Sequence, residues 1–157
     1  HGSVLPAELD GTLATAGIAV VVQPSLVRER GDGYLATVDP DDLAHLHRAA
    51  SLLRAGVTVS VGSDAPVTTI DPWAAIATAA DRRTRLGEVL GGDEAVPARV
   101  ALGWYLADPL DLARPRRIAV GARADLCLLS VPLEVALARP SSQDVRATWV
   151  AGRLVAP

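Results

Sequence analysis

The sequence predicts an α/β fold in which parallel strands alternate with helices, as in a (β/α) barrel, followed by a small antiparallel β segment. Three observations predict it. Two short apolar runs, IAVVV at 18–22 and VTVSV at 57–61, each follow a helix-like stretch that ends in a lone glycine, Gly17 or Gly56. The segments after these strands, 24–39 and 62–71, are long, whereas those after the helices are a single glycine. A (β/α) barrel builds its active face from the loops that follow its strands. Beyond Pro115 the texture changes to short β runs separated by turns.

Taken in order, residues 6–16 (PAELDGTLATA) place Leu9, Leu13 and Ala16 at helical spacing, with Pro6 near the start and Gly17 at the stop. Residues 18–22 form the continuous apolar run of a strand covered on both faces. Residues 24–39, with Gly31, Asp32 and Gly33, are expected to form a long loop. Asp39-Pro40 opens a helix expected to reach about Ala55, with Leu43, Leu46, Ala50 and Leu53 on one stripe and Gly56 as its stop. Residues 57–61 are the next strand; Gly62 and Ser63 release the chain, and Asp64 stands just past the strand end. Asp71-Pro72 caps a helix from Trp73 to about Arg83. Residues 96–107 make one more, with Val100, Ala101 and Trp104 as its apolar stripe. Short strands are expected at 118–120, 126–129, 145–150 and 153–155, with turns at Gly121 and Ala151-Gly152. Residues 124–130 and 145–155 should pair antiparallel, with Leu126, Leu128, Val150 and Leu154 among the buried positions, and a domain boundary is placed near residue 115.

Composition narrows the function classes. The 157 residues suffice for one ordinary domain, or one and part of another. Net charge is -3 with the signs interspersed, so no basic patch points to nucleic acid or an anionic membrane. No apolar run approaches the roughly 18 residues of a membrane span, and no secretory leader opens the chain, so a soluble, cytoplasmic protein is expected. Methionine is absent, and the chain is read as starting inside a longer protein. All 15 positive side chains are arginine, which excludes lysine chemistry such as a Schiff base or a carboxylated metal bridge from these residues. The single Cys127 cannot form an internal disulfide and is expected to be a core thiol.

Five stretches carry a resemblance, in order: HGSVLP at 1–6, GIAVVVQP at 17–24, AGVTVSVGSDAPV at 55–67, DPWAAIATAADRRT at 71–84, and GARADLCLLS at 121–130 with VRATWVAGRLV at 145–155. Together the chain resembles the C-terminal part of the amidohydrolase superfamily, metal-dependent hydrolases with a (β/α)8 TIM barrel and a β-sandwich lobe. It is most similar to the branch containing N-substituted formamide deformylases. The resemblance implies that residues 1–115 are the last barrel units, from the sixth-strand tip onward, and that residues 116–157 are strands of the sandwich lobe. The family's first-strand H-x-H, its fifth-strand histidine and its bridging ligand all lie upstream of anything present here.

The candidate residues follow from this. Asp64 is similar to the family's eighth-strand aspartate, which implies a metal ligand that also shuttles a proton; the residues alone favour a turn or helix-capping acid after Gly-Ser. His1 matches the sixth-strand ligand histidine. H-G-S is also a remnant left by purification tags, and the V-L-P that follows, leading into a helix, favours the ligand reading. Gln23, at the tip of its strand, either meets substrate or bridges loops. Trp73 lines the site mouth or packs beneath a loop. Arg82 and Arg83 close a helix and favour its dipole. His45 and His47 form the only H-x-H, but on the expected helix residues two apart point about 200° away from each other, so they are read as surface or packing histidines. The implied function is hydrolysis of a non-peptide C–N bond in a small amide-type substrate through a water activated by a divalent metal, which the resemblance implies is zinc. The implied partner is a complementing N-terminal segment or a second copy of the chain. Two other readings stand beside it: a non-catalytic assembly surface, and a barrel hydrolase that uses Asp64 without metal.

Overall fold

The computed structural model describes residues 1–156. A 3-10 turn over Ala7–Leu9 runs into α1 (Asp10–Thr15), followed by β1 (Val20–Val22), α2 (Pro24–Thr37), α3 (Pro40–Leu43), α4 (Ala50–Arg54) and β2 (Val59–Val61). Then come α5 (Pro72–Asp81), α6 (Ala98–Tyr105), β3 (Ala107–Asp108), β4 (Asp111–Pro115), β5 (Leu126–Leu129), α7 (Leu133–Ala138), β6 (Val145–Val150) and β7 (Arg153–Ala156).

β1 and β2 pair in parallel, Val20 opposite Val59 and Val22 opposite Val61. Their β-branched side chains suit a strand covered on both faces. Helix α5 starts as its sequence requires: Pro72 occupies the first turn, where its missing N–H costs nothing, and the Asp71 carboxylate accepts from the N–H groups of Trp73 (2.9 Å) and Ala74 (3.4 Å). Trp73, Ile76 and Ala79 then join Val20, Val22, Leu52, Val57, Val59 and Trp104 in one core. Trp73 is therefore a packing residue, buried at the helix start. Leu52, 0% exposed, sits at its centre. Leu52→Ala is expected to destabilise the fold by about 2–5 kcal/mol, through lost transfer energy and the cavity left behind. A urea midpoint unchanged from the parent would contradict this packing.

Four expectations are corrected. The segment 24–39 is not a loop but α2, and Gly31 marks a close approach: a Cβ there would lie 2.6 Å from Thr84 Cγ2. The helix expected over 40–55 is broken into α3 and α4, because residues 45–47 leave it to pair with residues 3–5. His47 adopts a left-handed φ of 48°, which no helix continues through. No strand forms at 118–120; Ile118 and Val120 are exposed and find no partner strand among the described residues. Cys127 is exposed rather than buried in a core.

The strands β5, β6 and β7 form an antiparallel sheet in that order, with Leu126 opposite Trp149 and Val150 opposite Arg153. The pairing matches expectation, but the burial does not. Leu126, Leu128, Val150 and Leu154 are all exposed, because among the described residues no second sheet packs over these strands. A short antiparallel pair, β3 with β4, takes up residues 107–115, between the expected end of the helix at 107 and the expected boundary near 115. Among the described residues no helix is long and apolar enough to cross a membrane.

Candidate functional site

The parallel register brings the C-terminal ends of β1 and β2 to one place, so Gln23 and the turn Gly62-Ser63-Asp64 leave the sheet at the same end. Gly62 donates its N–H to Val22 O (3.0 Å). It passes so low over β1 that a Cβ would meet Val21 Cγ1 at 3.3 Å and Gln23 Nε2 at 3.5 Å.

Asp64 then turns with φ at 59°, a left-handed conformation that aspartate tolerates better than most residues and that recurs at functional turns. Its carbonyl accepts from Val67 N–H (2.9 Å) and Thr68 N–H (3.4 Å), Ser63 Oγ accepts from Ala65 N–H (3.2 Å), and the Thr68 hydroxyl donates to Ser63 O. The turn is thus closed by backbone, serine and threonine, which leaves the Asp64 carboxylate out of it. That carboxylate stands instead with Oδ1 3.7 Å from His1 Nε2, the side chains 30% and 57% exposed.

His1 is carried by a strictly placed segment. Gly2 donates its N–H to Val21 O (2.9 Å), and a Cβ on Gly2 would fall 2.4 Å from Val20 Cγ1, so only glycine fits behind the histidine. Further along, Leu5 N–H donates to His45 O (3.0 Å), and Arg48 Nη1 donates to Leu5 O (3.0 Å). The same guanidinium grips Asp10 with both its terminal nitrogens, at 2.8 and 2.6 Å.

The donor chemistry of His1 and Asp64 suits a divalent metal. Two ligands of one tetrahedral zinc, each about 2.0–2.1 Å from it, lie roughly 3.3 Å apart, against the 3.7 Å between His1 Nε2 and Asp64 Oδ1. Among the described residues no group of three or more His, Cys, Asp or Glu is gathered for a metal. The pair therefore offers two ligands of the three or four a zinc takes.

Gln23 lies at the same end but faces inward, only 1% exposed. Its Nε2 donates to Val21 O (3.2 Å), while its buried Oε1 has no hydrogen-bond partner among the described residues. The H-x-H pair is split differently from expectation. Neither histidine is on a helix, His45 is half-buried in a turn, and His47 is buried with its ring 5.7 Å from that of Tyr34.

Sequence reasoning missed Arg82. Read as closing a helix and favouring its dipole, it is in fact 2% exposed, with Nε donating to Leu90 O (3.0 Å) and Gly91 O (3.2 Å) and Nη1 to His47 O (3.0 Å). Spacing carries no signal for it: counted from Ala75 and Ala79, Arg82 and Arg83 both fall on the buried side of α5, and what separates them is the left-handed φ of Arg82 where the helix ends.

Burial, aided by the Arg82 charge, pushes His47 from its ordinary value of 6.5 down to about 4. The native state thus holds this imidazole neutral while the unfolded chain protonates it. Stability from this residue is complete above about pH 6.5 and is lost as pH falls toward about 4, on the order of 3 kcal/mol in all. Urea midpoints measured between pH 7 and pH 4 should fall accordingly, and His47→Gln should flatten that slope. An equal slope in the variant would contradict the assignment.

Comparisons with known proteins bear on this geometry. Residues 1–156 match the amidohydrolase family. The chain is 32% identical over 148 residues to an N-substituted formamide deformylase of Arthrobacter pascens, covering 90% of this chain and 27% of that protein. In structure it is similar to an uncharacterised metal-dependent hydrolase of Pyrococcus horikoshii OT3, with a TM-score of 0.58 and 22% identity, over 67% of this chain and 22% of that one. It is also similar to a metal-dependent hydrolase of Pyrococcus furiosus, with a TM-score of 0.56 and 20% identity, over 67% of this chain and 21% of that one. The chain thus spans about a quarter of the length of the relatives it matches.

Proposed function

The chain belongs to the amidohydrolase family, and from that premise we propose that it supplies two metal ligands and a proton-carrying carboxylate to a hydrolase of non-peptide C–N bonds. The observation that carries this reading is the approach of His1 Nε2 to Asp64 Oδ1, 3.7 Å apart, at the shared end of two parallel strands. In this reading residues 1–115 are the last units of a (β/α)8 barrel and residues 116–157 belong to a sandwich lobe. The parallel β1–β2 pair and the antiparallel β5–β6–β7 sheet support that division. The remaining barrel strands and metal ligands come from a complementing N-terminal segment, as the quarter-length match to the deformylase suggests. The setting is the cytoplasm and the substrate a small amide.

His1 and Asp64 would hold a divalent cation, zinc by the nature of the donors. When bound, such an ion polarises a carbonyl and lowers the pKa of water. Asp64 accepts a proton from the attacking water as it adds to the carbonyl carbon, then returns it to the nitrogen as the C–N bond breaks, giving an acid and an amine. Gln23 lies at the same strand end, and its Oε1, without a partner among the described residues, would accept a hydrogen bond from the substrate amide.

The test is reconstitution. The chain is co-expressed with an N-terminal segment bearing a strand H-x-H and a further strand-tip histidine, and assayed on an N-substituted formamide. Turnover that depends on a divalent metal and disappears with chelator supports the proposal. A stable, metal-containing assembly without turnover favours the assembly-surface reading, for which exposed Leu110, Ile118 and Val120 speak.

A further inference from the structure

We infer that Arg82 sets where His1 stands against Asp64, acting through the backbone carbonyl of His47 as a positioning residue. The inference rests on the reading of His1 and Asp64 as metal ligands. Arg82 caps the C-terminus of α5 in a left-handed conformation, φ 56°. It is buried, and it has no ion-pair partner among the described residues. A guanidinium taken out of water without a carboxylate is costly, so its donated hydrogen bonds are what offset its place here. Two go to Leu90 O and Gly91 O, and Gly91 is close enough that a Cβ would lie 3.1 Å from Arg82 Nη2. The third, to His47 O, reaches a different segment.

That segment holds His1. His47 N–H donates to Ser3 O (2.9 Å), Leu46 bridges Val4 in antiparallel fashion, and His45 O accepts from Leu5 N–H (3.0 Å). Residues 2–5 are therefore clasped between β1, through Gly2 N–H to Val21 O, and the 45–47 strip. Arg48 anchors the Leu5 end of the clasp, and Arg82 anchors the Ser3 end, nearest His1. Arg82 also terminates the helix that the Asp64 turn leads into, and that helix is fixed at its start by Asp71. One side chain thus ties the element descending from Asp64 to the strip that positions His1.

Hydrogen exchange read by mass spectrometry tests this on the chain itself, with zinc alone as the probe at millimolar concentration. A hydrogen bond to a charged group is worth enough that Arg82→Gln should speed exchange in residues 3–5 and 45–47 by about tenfold or more, with 126–129 and 145–150 unchanged. In the parent, zinc should slow exchange in the peptides holding residues 1–5 and 62–68 together, and Arg82→Gln should need about tenfold more zinc for the same effect. Arg82→Lys keeps the charge without the planar fork and should fall between the two. His47→Asn tolerates the left-handed turn and keeps the carbonyl, so it should behave as the parent. A protected strip in Arg82→Gln, an unshifted zinc response, or a His47→Asn variant as loose as Arg82→Gln would each overturn the inference. Faster exchange across 126–150 in both Arg82 variants would also overturn it, making Arg82 a determinant of the whole fold. Zinc without effect on the parent would defeat the ligand reading instead, while the strip measurement still decides the anchoring by Arg82.

Discussion

Asp64→Asn, made in the reconstituted enzyme, is expected to lower the rate of amide hydrolysis by about 10²–10⁴-fold, the usual worth of a positioned proton carrier. The change keeps the size of the side chain and its tolerance of the left-handed turn, φ 59°. It also spares the bonds that close that turn, since these use the Asp64 carbonyl, Ser63 and Thr68. What it removes is the negative charge facing His1 and the ability to take up a proton. Metal content should fall as well, because an amide oxygen is a poorer zinc ligand than a carboxylate. Elemental analysis beside the assay separates the two losses: a variant reloaded with excess zinc and still slow has lost the proton carrier. Asp41→Asn, on exposed α3, serves as the control and should match the parent. Turnover within twofold of the parent in Asp64→Asn would remove Asp64 from the chemistry.

The second large effect concerns the chain by itself. Expressed alone, it is expected to self-associate or to capture a complementary segment, and to hold zinc weakly. β1 and β2 make a sheet of two strands, so the outer edge of β2 presents unpaired N–H and C=O groups that favour pairing with another chain. Ile70, Leu110, Ile118 and Val120 add apolar surface in open water, each large side chain worth roughly 1.5–3 kcal/mol if covered. Two protein ligands leave zinc with half of its usual set. Sedimentation velocity and elemental analysis on the purified chain check both parts. A monodisperse monomer with one tightly held zinc and measurable amidase turnover would show that the 157 residues form a complete small enzyme.

Much of this architecture was legible because local and tertiary preferences agree. The valine runs of β1 and β2, the Asp-Pro start of α5 and the Ala-Gly turn between β6 and β7 each carry a short-range physical signal strong enough to stand alone. Two of the failures share a cause, in that a tertiary contact overrode the local preference. Gly31 and Gly33 read as loop residues, yet α2 runs through them because Gly31 lets Thr84 approach. The apolar stripe from Leu43 to Leu53 reads as one helix, yet residues 45–47 gain more by pairing with residues 3–5. At the candidate site, Asp64 and His1 are singled out by resemblance and by position at strand ends. Their approach to 3.7 Å depends on register, which no single stretch encodes. Arg82 was hidden because a helix-ending arginine ordinarily faces water.

One contact also dictates an order of events. The first N–H groups of α4 are satisfied from afar: the Glu94 carboxylate accepts from Ala49 N–H (2.8 Å) and Ser51 N–H (2.9 Å), across 45 and 43 residues of chain. A helix of five residues cannot persist without such help. During synthesis, then, α4 is unformed until residue 94 has left the ribosome, and Leu52 stays in water through the making of β2 and α5. A nascent chain stalled before Glu94 consequently leaves the start of α4 without its acceptor, and one extended past it carries that acceptor.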